Sequence, residues 1–247
     1  MSKTPMMTVE ASEAQPESKA TAPVWHTAGV LLLLLGMAAL TLHLRTLNLV
    51  GQTHGRVLAY IATMTVEWLI VAFIAWGARW RGGSLTTLAG RFSPALRSIA
   101  RDLGLATAYL VAANIVLGII GAVLGRLVHS APNDFMKSIL PHTGLEYAVW
   151  LLLALTAGIC EEMIFRGYLQ HQFTVWTSSA AAGIAVQGIL FGAAHAYQGP
   201  AMMIVIAVYG CMFGSLAWWR KSLRPGMMAH FIQDAIGGLV LAKFALK

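Results

Sequence analysis

Charge is scarce in this chain. Asp, Glu, Lys and Arg make up 11% of its 247 residues, where an average soluble domain carries about 25%. So little charge cannot coat a water-facing surface. With 57% hydrophobic residues and a mean hydropathy of +0.68, the chain reads as an integral membrane protein. Cysteine is scarcer still: Cys160 and Cys211 both lie in apolar runs, which speaks against a disulfide framework. Cys160 directly precedes Glu161 and is weighed as a nucleophile, but the ordinary role of such a cysteine is a small packing residue. No serine sits in a nucleophile motif, there is no H-E-x-x-H zinc signature, and no repeat or low-complexity stretch follows residue 23.

What charge there is has a sign and a place. The net charge of +7 invites a nucleic-acid reading, which the distribution rejects: the basic residues lie in short loops between apolar runs, the positive-inside pattern. Anionic lipid headgroups are the expected counter-charge. Residues 1–23 are polar, carry Pro5, Pro16 and Pro23, and read as a disordered cytoplasmic tail; the apolar run after them lacks a cleavage site and reads as an anchor. At about 20 apolar residues per crossing, seven spans are expected near 24–43, 57–78, 102–125, 147–167, 179–198, 201–219 and 226–245, with an eighth allowed. The fold class is therefore an all-α polytopic bundle, a single membrane domain over 24–247. Residues 84–101 read as an amphipathic stretch on the membrane surface. Basic loops after span two (Arg79, Arg81, Arg91, Arg97, Arg101), after span four (beginning near Arg166) and after span six (Arg220, Lys221, Arg224) fall on one side if the N-terminus is cytoplasmic, which leaves the C-terminus outside. Gly118, Gly121, Gly125, Gly183, Gly188 and Gly192 suit close helix packing.

Three places put ionisable groups into apolar helix. Glu161 and Glu162 are adjacent, with Arg166 four residues after the second. A carboxylate at the centre of a spanning helix costs about 3 kcal/mol, so an adjacent pair demands an explanation. Glu162 and Arg166 share a helix face and can pair; Glu161 is turned about 100° away and is left for another partner. His195 follows Phe191 by one turn. His230 and Asp234 are again four apart, so Asp234 can orient His230, or both can hold a ligand. Glutamate as general base, histidine to assist, and a second histidine with a carboxyl beside a developing oxyanion form a water-activating set. Glu67, inside span two, is left over. The remaining histidines (His26, His43, His54, His129, His142, His171) read as interfacial, and Trp25, Trp76, Trp80, Trp150, Trp218 and Trp219 fit aromatic belts.

In this order, E-E-x-x-x-R, F-x-x-x-H and H-x-x-x-N/D resemble the CPBP family of intramembrane proteases, which includes the CAAX prenyl endopeptidases and the bacteriocin-immunity-associated Abi proteins. Arg166-Gly167-Tyr168-Leu169 and Phe191-Gly-x-x-His195 add to the match, which covers about 145–240 and leaves the first three spans generic. The resemblance implies an endopeptidase in which Glu161 activates water with help from His195, Glu162 and Arg166 hold geometry and charge, and His230 and Asp234 form the oxyanion side. The prenyl endopeptidase branch usually has Asn where this chain has Asp234, and a carboxylate donates no hydrogen bond unless protonated. The family has been described both as metalloproteases and as metal-free glutamate proteases; a divalent ion such as zinc, if present, would draw on Glu161, His195 and His230. The partners implied are a membrane-embedded or lipidated substrate and the bilayer of a bacterial inner membrane, where a prenylated substrate is not expected. The rival readings are a non-proteolytic scaffold or immunity protein of the same fold and a proton-coupled transporter. On the span boundaries above, Glu161 lies toward the cytoplasmic end of span four and His195 toward the outer end of span five, about 10 Å apart in depth. A shared site requires span five to shift, tilt or break near Gly188 and Gly192.

Overall fold

The computed structural model describes residues 19–47, 53–127 and 134–245; of the expected disordered tail over 1–23, residues 1–18 lie outside them, as does His129, while Ala22 is ordered, buried and hydrogen-bonded to Gln172. Helices stand where the seven spans were expected: α1 (Val24–Leu47), α2 (Thr53–Trp80), α4 (Leu96–Leu127), α6 (Gly144–Glu161) with its continuation, α8 (Ala180–Ala194), α9 (Pro200–Arg220) and α10 (Arg224–Ala245). Short helices α3 (Leu85–Ala89) and α5 (Asp134–Ile139) lie between them. Among the described residues five helical runs are long and apolar enough to cross a membrane, and α8 is a shorter apolar helix. The protein is a multi-pass helical membrane protein.

The main departure from the expected spans is in the fourth. It does not end near Arg166. α6 passes without a break into a π-helix (Glu162–Leu169) and then α7 (Gln170–Thr177), one run of 34 residues. Arg166 is therefore not a loop charge: it is 3% exposed, inside the bundle. The run ends at Ser178, in the left-handed conformation, and the chain returns antiparallel as α8. Gly183 then packs on Gln170 and Thr174, and the Phe191 ring stands edge-on to Phe165 at 4.9 Å. The same register carried one turn further sets His195 level with Glu161. The depth conflict is thus removed by the fourth span running on, not by a break in the fifth.

Polar clamps fix the run that carries Glu161 at both ends. At its start, Thr143 and Glu146 form a reciprocal capping box, and the buried Glu146 carboxylate accepts from Arg56 Nε at 2.9 Å. At its far end a directed chain of hydrogen bonds joins it to α1 and α2. Gln172 Nε2 donates to Thr27 Oγ1 at 2.7 Å, Thr27 to the Tyr168 hydroxyl at 2.8 Å, and Tyr168 to His26 Nδ1 at 2.8 Å. His26 Nε2–H then donates to the Phe73 carbonyl at 2.9 Å, and because a carbonyl only accepts, this last bond sets every direction before it. His26 is fully buried and stacked on Phe73; the interfacial reading fails for it because each of its ring nitrogens has a protein partner. Trp150 likewise leaves the aromatic belt, donating to the Asp234 carbonyl at 3.1 Å.

Segment 84–101, expected as an amphipathic loop on the membrane surface, is divided between α3 and the start of α4. α3 packs Leu85 and Leu88 onto the core, Gly90 bridges to Ser222, and α4 begins at Leu96. The loops after α2 and after α9 are thereby joined at one end of the bundle, where Asp102 accepts from Arg224 Nε at 2.7 Å. Glycine packing is real in α8 and missing in α4. A Cβ on Gly188 would come within 2.9 Å of the Ala207 carbonyl, and one on Gly192 within 2.7 Å of the Ala207 Cβ. One on Gly118, Gly121 or Gly125 would meet nothing within 4 Å among the described residues.

Gly192→Ala is accordingly expected to destabilise the protein by about 1–3 kcal/mol through overpacking, despite alanine's better helix propensity. Gly118→Ala, with open space, is expected to be neutral or stabilising by up to about 1 kcal/mol. Thermal unfolding in detergent compares the two; equal shifts would show that α8 and α9 are not packed at this spacing.

Candidate active site

The ionisable residues of the three motifs converge where the run that carries Glu161 meets α10. Backbone shape makes this possible. Gly158 lets α10 approach until a Cβ there would lie 3.0 Å from the Met227 carbonyl and the Phe231 amide. Immediately afterwards the helix widens into the π-turns, a feature concentrated at functional sites. Gln170 N–H bonds the Phe165 carbonyl, five residues back, in the same widened pattern.

Glu162 is at the centre, with no exposed surface. One of its oxygens, Oε1, lies 3.0 Å from Arg166 Nη1 and 3.1 Å from His230 Nδ1. Its other oxygen faces the first turn of α10, where a Cβ on Gly226 would come within 2.9 Å; the positive end of that helix favours a carboxylate. The Arg166 contact is close without being aligned as a hydrogen bond: neither Nε nor Nη1 has a hydrogen-bond partner, and Nη2 reaches the Gly210 carbonyl only at 3.5 Å. Aromatic faces complete the cation's surroundings, with the guanidinium 4.2 Å from the Phe191 centroid and 5.0 Å from that of Phe213. A desolvated contact of this type contributes about 2 kcal/mol.

His230 is 5% exposed and stacked on Phe213. Glu162, ion-paired to Arg166, can only accept, so Nδ1 of His230 carries the proton between them. Its orienting partner is thus Glu162 and not Asp234, which the sequence offered for that role. The other ring nitrogen, Nε2, faces Glu161 Oε2 at 3.6 Å and Asp234 Oδ2 at 3.5 Å. These distances are too long for direct hydrogen bonds. The side chain of Glu161 is 15% exposed and that of Asp234 36% exposed, so the site closes around Glu162 and opens toward Asp234. The Glu161 Oε2 atom is itself buried and has no hydrogen-bond donor.

His195 stands at the edge of this network. It caps α8, and its Nδ1–H donates to the Phe191 carbonyl at 2.8 Å, which leaves Nε2 as a free lone pair. The Phe191 ring lies between the two histidines, 4.8 Å from His195 and 6.0 Å from His230, centroid to centroid. His195 is also within electrostatic range of Asp234. Two residues outside the expected set reach the same place. Glu67 of α2 is 2% exposed and interacts electrostatically with Glu161, His230 and Asp234. Tyr197 interacts with Glu161, Asp234 and Glu67. A lone carboxylate in an apolar run signalled Glu67; nothing local singled out Tyr197. Among the described residues no three His, Cys, Asp or Glu side chains are placed to hold a metal ion, so the set Glu161, His195 and His230 does not fit one as arranged, and no step is routed through a metal.

The central pair makes a direct prediction. Arg166→Met strands a buried carboxylate and is expected to cost about 3–5 kcal/mol. Adding Glu162→Gln is expected to return part of that loss. A double-mutant cycle on unfolding in detergent measures the coupling; strictly additive losses would show that the two charges do not stabilise each other.

Residues 143–236 match the family described as type II CAAX prenyl endopeptidase Rce1-like. The uncharacterized protein YpbD of Bacillus subtilis is 32% identical over 104 residues, 41% of this chain and 47% of that protein, so the chain spans about half the length of this curated relative. No solved structure matches the chain. The matched segment holds Glu161, Glu162, Arg166, His195, His230 and Asp234, and the likeness to CAAX-type intramembrane proteases that these residues carry is borne out across residues 143–236.

Proposed function

We propose that the protein is an intramembrane endopeptidase that hydrolyses peptide bonds of membrane-embedded substrates with water activated by Glu161. The observation that carries this reading is a buried carboxylate oxygen with no donor, Glu161 Oε2, facing the Nε2 of a histidine whose other nitrogen is already committed. Orphaned polar atoms of this type are expensive unless function uses them.

In the proposed reaction a water lies between Glu161 and the carbonyl carbon of the scissile bond. Glu161 takes one proton as the water oxygen attacks, and the Nε2 of His195 accepts a hydrogen bond from the hydrogen that stays on that oxygen and leaves with the product acid. His230, doubly protonated, donates Nε2–H to the oxyanion, with Nδ1–H anchored on Glu162. When the tetrahedral species collapses, the C–N bond breaks and Glu161 passes its proton to the leaving amine. The base is then a carboxylate again. Glu162 and Arg166 touch neither substrate nor water; they set the position and charge of His230. Asp234, on the open side, faces the substrate entrance. The two basic loops at one end of the bundle support a cytoplasmic placement of that end and of the N-terminus, in a bacterial inner membrane. A prenylated substrate is not required by anything in the site.

The test compares wild type and Glu161→Gln, each co-expressed with the host membrane proteome, for peptides released from the membrane fraction. Loss of the general base is expected to reduce cleavage by about 10²–10⁴-fold with an unchanged unfolding temperature. Identical peptide sets from two folded proteins would return these residues to helix packing and remove the protease reading.

A further inference from the structure

Glu67 lies outside the family-matched segment, on a helix the motifs do not touch. It is 2% exposed and its Oε2 is buried with no hydrogen-bond donor. Among the described residues it makes no ion pair, and its charged neighbours are the carboxyls of Glu161 and Asp234 and the imidazole of His230. Cys160 is also within electrostatic reach, and so is Tyr197. From α6, α10 and the α8–α9 turn, the groups that face Glu67 are thus carboxyls, one histidine, a thiol and a phenol.

Two carboxylates in a low-dielectric interior repel strongly, and one of them is relieved by holding a proton. Glu161 and Glu67 each present a buried oxygen with no donor. Buried polar atoms find water where no protein group serves them, and an ordered water needs two to four polar partners. Glu161 and Glu67, which interact electrostatically, offer two such partners in their orphan oxygens.

We propose that Glu67 is a water-holding residue of this site, a neutral carboxylic acid whose O–H hydrogen-bonds the water that Glu161 activates. α2 then contributes a wall of the water site. Glu67 neither gains nor loses its proton over the cycle; it fixes the water oxygen while Glu161 takes the hydrogen. The effect on turnover rests on Glu161 being the base, whereas the neutral, water-bonded carboxyl does not.

The test therefore has two readouts on the full chain in phosphatidylethanolamine–phosphatidylglycerol vesicles. Infrared spectra at neutral pH are expected to show the C=O stretch of a protonated carboxylic acid that disappears in Glu67→Gln and shifts when Glu161→Leu removes its neighbour. No such band in wild type, or one retained in Glu67→Gln, overturns the proposal whether or not the protein cleaves anything. On a peptide released only by wild type in the co-expression comparison, Glu67→Leu is expected to lower kcat by about tenfold or more with KM unchanged, the loss of one hydrogen bond at a charged site. Glu67→Gln, whose amide can both donate and accept, is expected to recover turnover to within about threefold. Equal loss in both variants overturns the hydrogen-bonding role, and a rise in KM alone would make Glu67 a substrate contact instead.

Discussion

A guanidinium cannot be left alone inside an apolar helix bundle, and much of the site's order follows from that constraint. Arg166 cannot shed its proton and is 3% exposed. Glu162 must therefore be ionised beside it, Phe191 and Phe213 must turn their faces to it, and the Gly210 carbonyl must point inward. An ionised Glu162 in turn decides which nitrogen of His230 holds a proton. That choice leaves Nε2 facing Glu161 and Asp234. One charge thus fixes, through four contacts, the protonation pattern of the groups proposed to act on substrate. The pair is a poor source of stability by itself; its value lies in specifying one arrangement of α10 against the helix that carries Glu161.

Much of this was legible in the sequence. Composition gave the class, and the i,i+4 spacing gave the Glu162–Arg166 contact. The order of three motifs gave the right residues to bring together. Spacing also misled where it assumed a regular α-helix and a short span. Arg166 resembled the first charge of a loop because a charge after 20 apolar residues ordinarily ends a crossing. The π-helix and α7 instead carry the helix ten residues beyond the expected end of the span, and that extension is what brings His195 level with Glu161. His26 was missed for a related reason. A histidine two residues into a span reads as interfacial, but here that end of the bundle is roofed by Tyr168 and Phe73. Glycines 118, 121 and 125 were over-read: small residues permit a close approach without requiring one, and no described neighbour comes near α4 there.

Glu162 and Glu161 differ by one position and are placed for different work. Glu162 lies on the side facing α10 and Arg166, and its near neighbours are a guanidinium, an imidazole N–H and the first turn of a helix. Glu161 faces two further carboxyls and one imidazole nitrogen. The first environment stabilises a fixed anion. Each glutamate keeps one oxygen without a hydrogen-bond donor, but only Glu161 does so without a guanidinium beside it, which suits the proposed role of taking a proton from water. Adjacent glutamates at a helix-to-π junction are a compact means of holding both states within one turn.

The division between the matched segment and the rest of the chain follows the same logic. Residues 143–236 carry the motif side chains, but they do not fix their own helix. Arg56 of α2 holds Glu146 at its start, and His26 and Thr27 of α1 hold Tyr168 and Gln172 near its end. On α10, Arg224 is held by Asp102 and Ser98 of α4. A carboxylate on a helix clamped at both ends, facing a histidine on a second clamped helix, is the arrangement the proposed water activation requires, since misplacement by about 1 Å can cost a hundredfold in rate. The generic spans therefore do more than anchor the chain in lipid: they supply the rigidity that the motif residues need, and in Glu67 a carboxyl at the site itself.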